Sequence, residues 1–384
     1  METKRYKLKD ILSIGNGKDH SSLGVGEYPV YGSGGYMKSV DSFLYDGESV
    51  LLPRKGTLSN IQYVYGKFWT VDTCYYTKID TSLANPYYLY CLLRSYDLSG
   101  LDSGASIPSM TSKTYYGVKV ELPSLDIQDK ITTILKQYDS LIESNNSRIK
   151  VLEKMAENLY KEWFVRFRFP SHETTEFENG IPKAWGYVKL GEAVTFIDGD
   201  RGSNYPTQDE FNEEGYCLFL NAGNVTKSGF DFTNCSYITK EKDTLLKKGK
   251  LNYGDVVLTT RGTVGNSAFY NKKINNKNIR INSGMVIIRE KELLSSEYIY
   301  TLLNDDYIKA MISLYSSGSA QPQLPIKDLK RIRIMMPDEK TMKQFTELVK
   351  KIYDEISIVN MCNMSIIKQR DLLLPRLMSG KLEM

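Results

Sequence analysis

Along 131–163 the positions Ile131, Leu135, Tyr138, Ile142, Asn145, Ile149, Leu152, Ala156, Leu159 and Trp163 follow one another in unbroken steps of four and three, apolar at every step but Asn145. A seam that keeps this spacing over four heptads predicts one long helix with a coiled-coil face, because helices of ordinary domains rarely hold a strict 3.5-residue period for so long. Moving 214 positions along the chain gives Phe345, Val349, Ile352, Ile356, Val359, Asn363, Ile366, Arg370, Leu373 and Leu377, the same seam in the same register. Arg370 weakens this second seam, and it is expected to end near Pro375, since proline removes a helix N–H. The plainer alternative is that each helix simply packs its amphipathic face on its own domain.

The seams are part of a larger duplication with a period of roughly 210 residues. GESVLLPRKGT (47–57) corresponds to GDVVLTTRGT (254–263), PYYLYCLLRS (86–95) to SEYIYTLLND (296–305), SGASIPSM (103–110) to SGSAQPQL (317–324), and GVKVELPSLDIQDKI (117–131) to LKRIRIMMPDEKTMKQF (329–345). The matches keep one order along the chain. Each copy opens with short β-rich runs such as SVLL and VVLTT between Gly, Asn and Ser turns, includes a short helix near 86–94 or 296–304, and closes on a long helix. RFPSHETTEFENGIPKAWG (168–186), rich in Pro, Gly and acidic residues, reads as a linker. The predicted layout is a domain over 1–124, a helix over 125–168, a linker over 169–186, a second domain over 187–337 and a second helix over 338–384.

Composition adds exclusions. The 384 residues suffice for two domains with their own cores, and 41% hydrophobic with 25% charged residues is a soluble balance. No apolar run is long enough to span a membrane, and METKRYKLKD carries no signal-peptide core, which places the chain in the cytoplasm. Five cysteines without a C-x-x-C pair and only two histidines, His20 and His172, argue against a disulfide frame, a zinc site or a histidine-based triad. A net charge of +4 is too small to point to nucleic acid by itself, and the 28 tyrosines suit polar contact surfaces but equally a sheet and core.

Motifs of chemistry dissolve on inspection. NPYY (85–88) has letters of an adenine-methyltransferase loop, but Asn85 and Pro86 read as the cap and first turn of a short helix, with Ser295 and Ser296 in the duplicate. GSGG (32–35) lacks the Lys-Ser/Thr ending that would hold a phosphate and magnesium, so it reads as a turn open to close approach. PDEK (337–340) falls at a helix entry, where capping accounts for it.

LYKEWFVRFRFPSHETTEFENGIPKAWGYVKLGE (159–192) resembles the central conserved region of the specificity subunits of type I restriction–modification systems, the HsdS family. LLLPRLMSGKL (372–382) is similar to the end of that family's second conserved helix, and YPVYGSGGY (28–36), GESVLLPRKGT and ELPSLDIQDKI resemble its first recognition domain. The resemblance covers nearly the whole chain. It implies an α+β fold in which two similar mixed α/β target-recognition domains are separated by two long helices, paired as an antiparallel coiled coil with pseudo-twofold symmetry. It also implies a non-catalytic subunit that reads a bipartite, asymmetric double-stranded DNA site. Its expected partners are two adenine-N6 methyltransferase subunits and, in the full complex, restriction/translocase subunits. The chain itself then needs no cofactor and no metal, with S-adenosylmethionine, ATP and Mg left to the partners. In an antiparallel pair whose residue numbers sum to 508, Asn145 would face Asn363 and fix the register.

Within that reading, candidate DNA contacts gather in loops. After the strands ending at Leu52 and Leu258 come Arg54, Lys55, Gly56 and Thr57 in one copy and Arg261, Gly262 and Thr263 in the other; arginine can bridge guanine O6 and N7 or grip phosphate. The SG segments supply Ser103, Ser106 and Lys113, then Ser317, Ser319, Gln321 and Gln323, glutamine being suited to adenine. Asn221 and Asn224, aligned with the GSGG turn, complete the set with Tyr36 and Arg201. Each could instead be an ordinary surface or turn residue. Two other functions stay open: a coiled-coil interaction scaffold that binds no DNA, and a solitary DNA-binding regulator that needs no methyltransferase. Salt-dependent duplex binding would separate the first, and a co-purifying methylase the second.

Overall fold

A computed structural model describes residues 2–96, 98, 108–291, 294–316 and 322–379. The chain divides into two compact units, 1–143 with 366–384 and 144–365, so each long helix, Leu125–Tyr160 and Glu339–Met378, belongs to one unit by its first part and to the other by its second.

In the first unit, a four-stranded antiparallel sheet has the order Leu12–Asn16, Cys74–Ile79, Ser49–Pro53, Gln62–Val64. Ser49–Pro53 is buried at every position, as expected for the continuous apolar run SVLL. A second sheet pairs Val25–Gly32 with Gly35–Val40 antiparallel and with Lys67–Thr70 parallel. Lys4–Lys7 and Lys119–Leu122 form a separate ribbon. The helix Pro86–Arg94 begins as NPYY predicts: the Asn85 side chain accepts from the Tyr87 and Tyr88 amides at 3.0 and 3.1 Å, with Pro86 in the first turn.

The second unit repeats this plan. Val194–Asp198, Met285–Glu290, Val256–Thr259 and Ser267–Phe269 form an antiparallel sheet of the same order. Cys217–Leu220 pairs antiparallel with Ser236–Ile238 and parallel with Ile279–Ile281. Gly186–Lys189 and Arg333–Met336 make the ribbon. Ser295 caps the helix Ser296–Asn304 through the Tyr298 amide at 3.2 Å, and Asp338 caps Glu339–Met378 through the Thr341 amide at 3.0 Å, so the PDEK letters are a cap.

Helix segments run antiparallel inside each unit. In the first, Ile131, Leu135 and Leu377 share one core, and Arg370 reaches Asp139 at 2.6 Å. Arg370 therefore sits in the seam without breaking it, its charge met across the helix pair. In the second, Trp163 lies 5.8 Å from Phe345 between ring centroids, and Asn145 Nδ2 donates to Asn363 Oδ1 at 2.8 Å. Asn363 is 6% exposed and also donates to Asn146 Oδ1 at 3.0 Å, so a buried amide has both its groups satisfied.

One expectation is corrected. The second helix does not end near Pro375 but continues to Met378 with the proline inside it. An exposed proline in the last turns leaves one carbonyl open to water, a smaller penalty than in a buried helix interior. The stretch 169–186, expected as a linker, is held in place. Phe169 and Trp185 are buried with centroids 4.7 Å apart, and Trp185 Nε1 donates to Asp338 Oδ2 at 2.7 Å. Its Pro and Gly content shapes turns, while its aromatics pin it down.

Candidate nucleic-acid interface

The loop after the central strand is built alike in both units. In the first, the amides of Arg54 and Lys55 both donate to Thr73 O, at 2.8 and 3.3 Å; in the second, those of Thr260 and Arg261 both donate to Gly284 O, at 2.8 and 3.1 Å. The chain then turns through a glycine of positive φ, Gly56 at 86° and Gly262 at 73°, which an L side chain would strain. These bonds make Lys55, not Arg54, the counterpart of Arg261. Arg54 corresponds to buried Thr260; its guanidinium bends back to within 5.9 Å of the Tyr75 ring, with Nη1 3.5 Å from Asp72 O.

The described ends of the SG segments, residues 108–110 and 322–324, lie against these loops. Met110 N donates to Arg54 O and Leu324 N to Thr260 O, each at 2.9 Å, and the same bridge joins Lys55 to Ser109 and Arg261 to Gln323. In each copy the loop after the central strand and the described end of the SG segment thus form one surface element. Lys55, Arg261 and Gln323 are exposed on it. Ser103, Ser106, Ser317, Ser319 and Gln321 lie outside the described residues. Lys113 is exposed on the helix Ser112–Gly117 that follows the first segment.

A third loop joins them in each unit. Ser33 N donates to Thr73 Oγ1 at 3.3 Å, and in the second unit Thr263 Oγ1 donates to Ala222 O at 3.3 Å. Thr57 is exposed beside Gly56. Tyr36, 62% exposed, stands at the start of the strand Gly35–Val40, its hydroxyl 3.1 Å from Ser39 Oγ, beside an open hollow of about 870 Å³ that also holds Asp19, His20 and Asp72. Asn221 is exposed and caps the turn Ala222–Asn224 through the Gly223 amide at 2.8 Å.

Asn224 is a correction. It is 4% exposed, its oxygen accepts from Asn221 N at 3.0 Å, and its amide donates to Asp231 O and Asn234 O at 3.1 and 2.9 Å. With every polar atom spent inside the fold it shapes the loop and has nothing left for a base.

Arg201 reaches the same surface from another loop. Its guanidinium donates to Ser283 O at 3.3 Å, next to the Gly284 carbonyl that anchors Arg261, and meets Asp198 at 3.1 Å. The neighbouring Asp200 accepts from the amides of Gly202 at 2.9 Å and of Lys247 and Lys248 at 2.8 and 3.4 Å. The Gly202 amide most of all, and the two lysine amides after it, hold this carboxyl below the usual carboxylate range against a burial that would raise it. Sequence reasoning missed Lys247 and Lys248, although the run LLKKGK was visible. Among the described residues no group of three or more His, Cys, Asp or Glu could hold a metal ion, and no helix is long and apolar enough to cross a membrane.

The structure defines a protein of two like units, each presenting a loop surface on a repeated scaffold. The chain matches the family "Type I restriction modification DNA specificity domain" twice, over residues 1–154 and 182–366. It belongs to that family, and its role is target recognition within a type I restriction–modification system. It is 28% identical over 351 residues to the type I restriction enzyme MjaVIII specificity subunit of Methanocaldococcus jannaschii, which covers 88% of this chain and 78% of the relative. To the MjaIX specificity subunit of the same organism it is 28% identical over 306 residues, 77% of this chain and 68% of the relative. The crystal structure of a type I restriction–modification S subunit from M. genitalium has the same fold, with a TM-score of 0.58 at 14% identity, covering 98% of this chain and 96% of that one.

Proposed function

We propose that the chain is the non-catalytic, DNA-reading subunit of its system, each unit reading one half of a bipartite site. The observation that carries this is the pair of matched bridges: Lys55 with Ser109 and Arg261 with Gln323 stand on the same backbone framework but are chemically different. A scaffold kept constant under side chains that change is what two modules reading different base sequences require, since base-edge contacts specify while the backbone only positions. Arg261 and Gln323 suit guanine and adenine; Lys55 and Ser109 suit guanine, phosphate or either base.

In this reading the chain works in the cytoplasm and docks two adenine methyltransferase subunits, with restriction/translocase subunits in the full complex. S-adenosylmethionine, ATP and Mg belong to those partners. Asn145 and Asn363 set the register of the helix pair on which the two reading units depend. The test is a module exchange. Replacing residues 1–124 with the equivalent segment of a relative, and co-expressing the chimera with its methyltransferase, should change one half of the methylated sequence and leave the other intact. Methylated-base sequencing of the host reads the outcome; both halves changing together, or neither, would refute the modular reading.

A further inference from the structure

A loop of the second unit braced by Arg280 and Asp200 lies beside its reading surface, and its tip is basic. Arg280 is 6% exposed and spends its guanidinium on one loop: Nη1 on Lys248 O at 2.6 Å, Nη2 on Leu246 O at 3.0 Å and Asp243 O at 2.8 Å, and Nε on the Asp243 carboxylate at 2.5 Å. Asp200 holds the same loop from its other side through the Lys247 and Lys248 amides. Taking an arginine out of water is expensive, and the usual compensation is one partner carboxylate. Here three backbone carbonyls of residues 243–248 are bound as well, which fixes the path of the loop.

What that path displays is two cations. Lys242 is spent on Glu210 and Lys250 on Asp243, each at 2.7 Å. Lys247 and Lys248 are exposed, and among the described residues neither makes an ion pair. Asp200, which holds their amides, precedes Arg201 on Ser283 O, and Ser283 precedes the Gly284 carbonyl that anchors Arg261. The lysines therefore stand on the flank of the reading loops, one residue contact beyond Arg201.

We propose that Lys247 and Lys248 form a phosphate-gripping site that holds the backbone of duplex DNA against the second unit. This rests on the DNA-reading function above and adds to it an asymmetry. The bonds Leu44 N to Phe68 O and Leu251 N to Ile279 O, at 2.8 and 3.0 Å, correspond, as do Val40 paired with Tyr28 and Ile238 paired with Cys217, so the first unit has only Asp41, Ser42 and Phe43 where the second has residues 239–250, and no lysine among them. The second unit thus has a backbone grip that the first lacks at this place. An ammonium pair carried on a braced backbone releases counterions on binding any duplex, so it adds affinity and salt dependence without reading sequence.

The experiment compares the full chain with Lys247→Ala/Lys248→Ala and Lys247→Arg/Lys248→Arg. Binding to a labelled mixed-sequence duplex and to the methylated target is measured across a salt series. The Ala pair should flatten the plot of log affinity against log salt by about 1.8, near 0.9 for each lost phosphate contact. The flattening should be equal on both duplexes, with the methylated sequence unchanged and the Arg pair retaining the original slope. An unchanged slope for the Ala pair, or a loss confined to the target duplex, overturns the phosphate grip while the DNA reading stands. Wild-type chain that binds neither duplex in a salt-dependent way overturns the DNA reading and this site with it.

Discussion

Arg261 and Lys55 occupy one position of one loop design, anchored through the Gly284 and Thr73 carbonyls. Their backbone amides are spent on the fold, so any donor contact to a partner falls to the side chains. Arg261→Ala is expected to weaken binding by about 1–3 kcal/mol and to relax the preference at one base position of the second half-site. Affinity measured on single-base variants of the target checks this, and equal affinity with an unaltered methylation pattern would make Arg261 plain surface. Asn224 shows the opposite case. Its residue type and its place in LNAGNV are those of a base reader, yet burial commits its amide to Asp231 and Asn234. Residue type was legible in the sequence; whether a polar group was already satisfied was not, because its partners lie 7 and 10 positions away in a loop without periodicity.

At the scale of elements, the helix pair was the most legible part, because a heptad seam depends only on local spacing. Positions on both seams are buried or half-buried, while flanking residues such as Leu141 and Val151 stay exposed. Asn145 and Asn363 meet at 2.8 Å. Asn145→Leu alone strips Asn363 Oδ1 of its donor and should destabilise by about 1–3 kcal/mol in thermal or denaturant unfolding. Changing both residues to Leu should recover or exceed wild-type stability, because two well-packed apolar side chains replace two desolvated amides, while losing the penalty on slipped registers. If the single and double variants destabilise alike, the amide pair is not the coupling element. The strap at 169–186 was less legible. Its composition describes a linker, and only the packing of Phe169 and Trp185 shows it held in place.

At the scale of the whole molecule, a duplicated sequence folds into two units with the same strand order, each including parts of both long helices. A helix of about 40 residues spans about 60 Å, longer than the roughly 34–36 Å of one duplex turn. Inserting four residues, about one turn, at matched points in both helices is expected to lengthen the unspecified gap of the methylated site while preserving both half-sites. Sequencing of methylated adenines in a host carrying the insertion decides it, and an unchanged gap would refute the helices as a ruler. By itself the sequence determined the duplication, the heptad register and the helix caps, because all three are patterns of identity and spacing along the chain. Only the tertiary structure decided that Lys55 answers to Arg261, that Asn224 is spent, and that the backbone of Lys247 and Lys248 is tied to Asp200 beside Arg201. Those facts depend on hydrogen bonds between segments far apart in the chain, such as Asp200 with Lys247 or Thr73 with Lys55, and no local pattern encodes which distant group will satisfy a given amide.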